Sequence, residues 1–73
     1  MEEKRPSDAR VKFAKSMRYY RRLKRITLME LQGLTGLTYG YLGEVERLNV
    51  NISLDNMDKI ARALDVPLDQ MFK

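Results

Sequence analysis

The side chains of this protein with the capacity for chemistry are charged, and they are unevenly placed. Residues 1–25 hold ten Lys and Arg against Glu2, Glu3 and Asp8, a local net charge of +7. Residues 26–73 hold four basic and seven acidic side chains, a net of −3. A block of positive charge concentrates anionic partners, whether nucleic acid, acidic protein or lipid headgroups; its plain alternative is a solvated helix face. The residue types of covalent and metal chemistry are missing. There is no His, the usual neutral-pH general base and commonest metal ligand, and no Cys for a disulfide or thiolate site. Carboxylates remain as ligands for a hard cation, but no dense acidic loop occurs. The chain is expected to be no enzyme and to need no cofactor or metal.

With 73 residues the chain makes one small domain, which buries about 60% of the surface exposed when unfolded. No uninterrupted apolar run exceeds two residues, as at Leu28-Met29 or Met71-Phe72, so nothing spans a bilayer. The N-terminus lacks the apolar stretch of a signal peptide. A cytoplasmic protein without a membrane partner is expected.

The elements that must position these charges are helices. Residues 1–7 read as a flexible N-terminal tail and residues 8–73 as the domain. After Pro6 and a Ser7-Asp8 start signal, Ala9, Phe13, Met17 and Tyr20 recur at helical spacing, predicting a first helix over about 8–24. Thr27 and Glu30 form a Thr-x-x-Glu capping box, predicting a second helix over about 28–35, stopped by Gly36. Thr38 caps a third, about 39–47, with Leu42 and Val45 inward. A loop over 48–52 follows. Ser53 caps a fourth helix with Leu54, Met57, Ile60, Ala61 and Leu64 at helical spacing, and Pro67 suits the first turn of a short fifth. No stretch alternates long enough to be a strand. The predicted fold is all-α, a compact bundle of about five short helices.

The segment from Leu28 to Arg47 has the pattern of a helix-turn-helix. Leu31, Leu42 and Val45 turn inward, Leu37 plugs the corner, and Gly36 makes the tight turn that sets two short helices at a steep angle. The outer face of the second is then free to enter a DNA major groove.

Here the chain resembles the lambda-repressor and Cro-type (xenobiotic-response-element-like) helix-turn-helix family of bacterial and phage transcription regulators. The resemblance covers about residues 11–72. It is carried by Arg21, Ile26-Thr27, Gly36-Leu37-Thr38, Tyr41-Leu42, Val45-Glu46-Arg47, Asn51-Ile52-Ser53-Leu54 and Leu64-Asp65-Val66-Pro67-Leu68, in order and at the family's spacing. It implies a lambda-repressor-like DNA-binding domain and double-stranded DNA as partner. By position it implies base reading from Tyr39, Gly40, Tyr41 and Glu44. Phosphate contacts fall to Thr27, Thr38, Arg47, Asn49 and Asn51, and Arg21 and Glu46 match a partly buried ion pair of the family.

Departures from the family pattern matter. Leu28 stands where relatives often place Gln. Gln32 stands where they prefer Ala, so its side chain must point partly outward or find a polar partner. Gly33, Gly40 and Gly43 lie inside helices, each costing about 1 kcal/mol relative to Ala. Gly40 removes a side chain from one base-reading position, leaving Tyr39, Tyr41 and Glu44. A carboxylate at Glu44 accepts from a cytosine amino group but repels phosphates. Tyr41 has packing at the core edge and phosphate contact as competing roles, and Leu28 with Met29 is a candidate apolar patch for a partner protein.

The function expected is a sequence-specific regulator of the repressor or controller type, a homodimer reading two half-sites about one helical turn apart. Val66, Leu68, Met71 and Phe72 are the candidate dimer seam; for Met71 and Phe72, closing the core is the alternative. No room remains after the fold for a ligand-sensing domain, so no small-molecule ligand is expected. The alternative is a protein-interaction module that keeps the fold with weak or nonspecific DNA binding, a reading motivated by Gly40, Gly43, Glu44 and Leu28 on the recognition surface.

Overall fold

Local capping signals set the element boundaries. In the computed structural model, which describes residues 5–73, Ser7 Oγ accepts from the Arg10 amide and starts α1, Asp8–Leu23. Residues 1–4 of the expected tail lie outside the described residues. Thr27 and Glu30 close both halves of the capping box at the start of α2, Leu28–Thr35. Thr38 caps α3, Tyr39–Glu46, and Ser53 caps α4, Leu54–Ala63. The fifth element is not an α-helix but a 3₁₀ helix, Leu68–Phe72, that follows Pro67. Both α1 and α3 end one residue before their expected limits, and Arg47 is the cap of α3 rather than a member of it.

Gly36 ends α2 with φ 79°, the left-handed conformation that glycine adopts without steric cost. The other three α-helices reach the same geometry without glycine. Arg25, Leu48 and Asp65 take φ of 58°, 64° and 58°. In each case the following amide reaches back to a carbonyl five residues earlier: Ile26 to Arg21, Asn49 to Glu44 and Val66 to Ala61, all at 2.9 Å. These bonds satisfy carbonyls that a helix end leaves unpaired and turn the chain sharply toward the next element.

The core gathers Phe13 and Met17 from α1, Leu31 from α2, Leu42 and Val45 from α3, and Met57, Ile60 and Leu64 from and just after α4. Met71 closes it from the 3₁₀ helix and is fully buried, while Phe72 packs its ring 5.9 Å from that of Phe13. Met71 therefore closes the core. Val66 is also buried, which leaves Leu68 and Phe72 as the partly exposed pair of the expected seam. Two expectations about faces need correction. Ala9 is exposed and Ala14 takes the buried place beside Phe13, because α1 is packed by α3 and α4 as well as by the 3₁₀ helix. Leu54, at the first turn of α4, is 67% exposed.

Candidate nucleic-acid interface

The helix-turn-helix unit is α2 and α3 packed across Gly36, with α1 behind α3 and α4 behind α2. Three polar linkages fix its geometry. Glu46, buried at the end of α3, accepts from Arg21 at 2.7 and 3.0 Å and from Arg18 at 3.4 Å. Arg21 also donates to the Ile26 carbonyl at 3.0 Å, so one guanidinium ties α1 to α3 and to the turn before α2. The carboxylate beside it raises the Arg21 pKa against the opposing effect of burial. This is the ion pair that the positions of Arg21 and Glu46 imply.

The second linkage is Gln32. Its side-chain carbonyl accepts from the Tyr39 amide at 2.8 Å, across the turn from α2 to the first residue of α3. That amide is one of the donors a helix start leaves open, so Gln32 adds a second cap beside Thr38. The polar partner that Gln32 requires is thus the recognition helix itself. The third linkage, Arg10, reaches from α1 to the Val50 carbonyl at 2.6 Å and the Leu48 carbonyl at 3.5 Å. It holds the loop that follows α3. Nothing in the sequence beyond its charge marked Arg10 for this role.

These linkages leave one face of α3 outward. Tyr39, Gly40, Glu44 and Arg47 follow one another along it, and Gly43, in register between them, is buried. Of these, Tyr39 is 54% exposed and a Cβ on Gly40 would meet nothing within 4 Å. Thr27 and Thr38 are exposed at the starts of α2 and α3, each with its hydroxyl accepting a backbone amide. Asn49 and Asn51 are exposed on the loop that Arg10 holds. Tyr41 stands apart. It is half-buried on the flank, and its hydroxyl accepts from Asn56 Nδ2 at 3.2 Å, so packing against α4 occupies it.

Glu44 and Arg47 are paired on the outward face. Hydrogen bonds from Arg47 and from Asn49 hold the Glu44 carboxyl below the usual carboxylate range. The room for this pairing comes from Gly43: a Cβ there would stand 3.3 Å from Arg47 Nη1 and 3.6 Å from Leu28 Cδ1. The glycine inside the helix and the leucine at the start of α2 therefore belong to one contact, in which Leu28 and Arg47 both close over Gly43.

Three of the arginines of the basic block, Arg10, Arg18 and Arg21, are committed to these internal linkages. Lys12, Lys15, Arg22, Lys24 and Arg25 remain exposed. Among the described residues no helix is long and apolar enough to cross a membrane, and no group of three potential ligands is placed to hold a metal ion.

The helix-turn-helix family profile matches residues 17–71, which spans α2 and α3 with most of the helices that support them. The chain is 40% identical to the restriction-modification controller protein C.AhdI from Aeromonas hydrophila, with a TM-score of 0.81 over 86% of this chain and 96% of that one. The hypothetical transcription factor NHTF from Neisseria is 33% identical, with a TM-score of 0.84 over 100% of this chain and 86% of its own. The clp gene regulator ClgR from C. glutamicum is 27% identical, with a TM-score of 0.82 over 92% and 86%. No curated protein matches the chain significantly. With α3 held by Arg21 and Glu46 and its far face turned outward, the chain belongs to the helix-turn-helix family of DNA-binding transcription regulators.

Proposed function

We propose that this protein is a sequence-specific regulator of the controller or repressor type that binds a palindromic operator as a homodimer. The observation that carries the reading is the two-sidedness of α3. Leu42, Val45 and Glu46 are buried and fixed, while Tyr39, Gly40 and Glu44 stand outward on a helix short enough to lie in a major groove. Tyr39 and Glu44 supply the base contacts, and Gly40 lets the helix approach closely. Tyr41, on the flank, braces the helix through Asn56 and borders the groove. Thr27, Thr38, Asn49 and Asn51 line the route of the phosphate backbone on either side, with Arg47 at the edge of the face. The exposed Lys and Arg of α1 supply attraction from the flank.

One such unit offers too little surface for tight binding alone, and two copies read half-sites about 34 Å apart. Leu68 and Phe72, with Val66 and Met71 behind them, form the seam of that dimer. The controller function of C.AhdI, at 40% identity, supports the same class of regulator here. A protein with this partner works where chromosomal DNA lies, in the cytoplasm of a bacterial cell.

Selection of bound duplexes from a random pool, followed by affinity against salt, tests the reading. One enriched, two-fold symmetric motif with a steep negative salt slope is expected. Weak binding without enrichment contradicts it and points to a protein-interaction module.

A further inference from the structure

We infer that Gly43 and Arg47 set base specificity by positioning the Glu44 carboxylate to accept from a cytosine amino group at one place in each half-site. The inference rests on the regulator reading above and assigns Arg47 a role different from a phosphate contact. Its basis is the way four residues share one spot on the outward face. Glu44 is 40% exposed on its side chain and Arg47 55%, so their pairing adds little to stability. What the pairing does is local. Arg47 bonds to Oε2 of Glu44, and the loop residue Asn49 helps to hold the same carboxyl ionised.

A bare carboxylate brought toward a duplex is repelled by the phosphates. A carboxylate whose charge is balanced by a guanidinium at its side can enter the groove. Once there it needs a donor. Cytosine offers its N4 amino group in the major groove, without the N7 acceptor that stands beside the adenine amino group and repels a carboxylate. Arg47 lies over Gly43 in this position, and a Cβ there would stand 3.3 Å from its Nη1, close enough to push the guanidinium aside by a few tenths of an ångström. Leu28 walls the same spot from α2, its Cδ1 3.6 Å from that Cβ. The glycine that weakens α3 as a helix thus makes room for the group that balances Glu44.

The test uses the full chain and the duplex enriched by the selection above, with its cytosine-guanine pair replaced in turn by the other three pairs. The wild type is expected to prefer cytosine by about 5- to 100-fold, the range of one good base contact. Glu44→Ala and Arg47→Ala should each bring that preference to within about threefold and leave the other positions of the motif unchanged. The double variant should be no less selective than Glu44→Ala alone, because both act on one contact. Gly43→Ala separates this role from a structural one. Alanine is the better helix former, by about 1 kcal/mol, so the variant should unfold later in urea and yet lose cytosine preference.

Two results would overturn the inference while the regulator reading stands. In one, Arg47→Ala weakens binding to every duplex alike and lowers the salt slope by about one, the signature of a phosphate contact. In the other, Glu44→Ala leaves the motif intact. A wild type that enriches no motif overturns the regulator reading itself, and this inference with it.

Discussion

Glu44 and Glu46 are two residues apart on α3 and answer to different surroundings. Glu46 faces inward, its side chain 3% exposed, held by Arg21 and Arg18 from α1. Glu44 faces outward beside Arg47 and Asn49, partners that come from the cap of its own helix and the loop after it. The first pair joins elements far apart in sequence and fixes where α3 lies. The second joins neighbours and shapes what α3 presents. Helical geometry explains the split, since two residues turn the side chain by about 200°, from the buried face to the groove-facing one. One residue type, placed on either side of one helix, thus serves the fold in one case and recognition in the other.

Glu46→Ala is the severest way to probe that comparison. It leaves a guanidinium without its carboxylate in a mostly buried site and should cost about 3 kcal/mol in urea unfolding. Glu44→Ala should leave the urea midpoint almost unchanged. Equal costs would mean that burial does not distinguish the two. Arg10→Ala releases the loop that carries Asn49 and should cost about 1.5 kcal/mol, the worth of a hydrogen bond to a charged group. Because Arg10 is turned to the Leu48 and Val50 carbonyls, that variant should keep the salt slope of DNA binding; a slope reduced by about one would place Arg10 on a phosphate.

Gln32→Ala removes the cap on Tyr39 but inserts the better helix former, so a net loss of about 0.5 kcal/mol is expected, with more frequent opening at the Tyr39 amide in hydrogen exchange. The smallest effect concerns pH. The folded-state pKa of Glu44 is depressed, so whatever depends on its charge is fully present above the ordinary carboxylate range and is lost as pH falls through the depressed value. Cytosine preference should therefore persist through mild acid and fade only below the usual range. Loss of preference above that range would break the assignment.

Much of the fold is legible in the sequence because its signals are local. The Thr27–Glu30 capping box, Gly36, and the caps at Thr38 and Ser53 lie within a few residues of what they control, and each appears where its residues imply. The apolar spacing of Phe13 and Met17, and of Met57, Ile60 and Leu64, is legible for the same reason. Ala9 and Leu54 mislead because spacing defines a stripe, while the packing of other helices decides how far along that stripe burial extends. The left-handed ends at Arg25, Leu48 and Asp65 carry no glycine to announce them.

The site divides in the same way. The outward set of Tyr39, Gly40 and Glu44 follows from the helix-turn-helix register. Gln32 signals a need for a polar partner without naming it. Arg10 signals nothing, since its acceptors are backbone carbonyls about forty residues away and carbonyls carry no residue identity. Gly43 reads as a flaw in a helix until Arg47 is seen lying across it.

The central claim is that α3 meets DNA with the face that holds Glu44 and meets the protein with the face that holds Glu46. Backbone amide chemical shifts, followed by NMR as the selected duplex is titrated into the labelled protein, test it most directly. The account predicts the largest changes at Thr27, Thr38 to Gly40, Glu44, Arg47 and the loop from Asn49 to Asn51, with little change across the middle of α4. Large changes on the exposed Tyr19–Leu23 face of α1, with the amides from Thr38 to Arg47 unmoved, would contradict it.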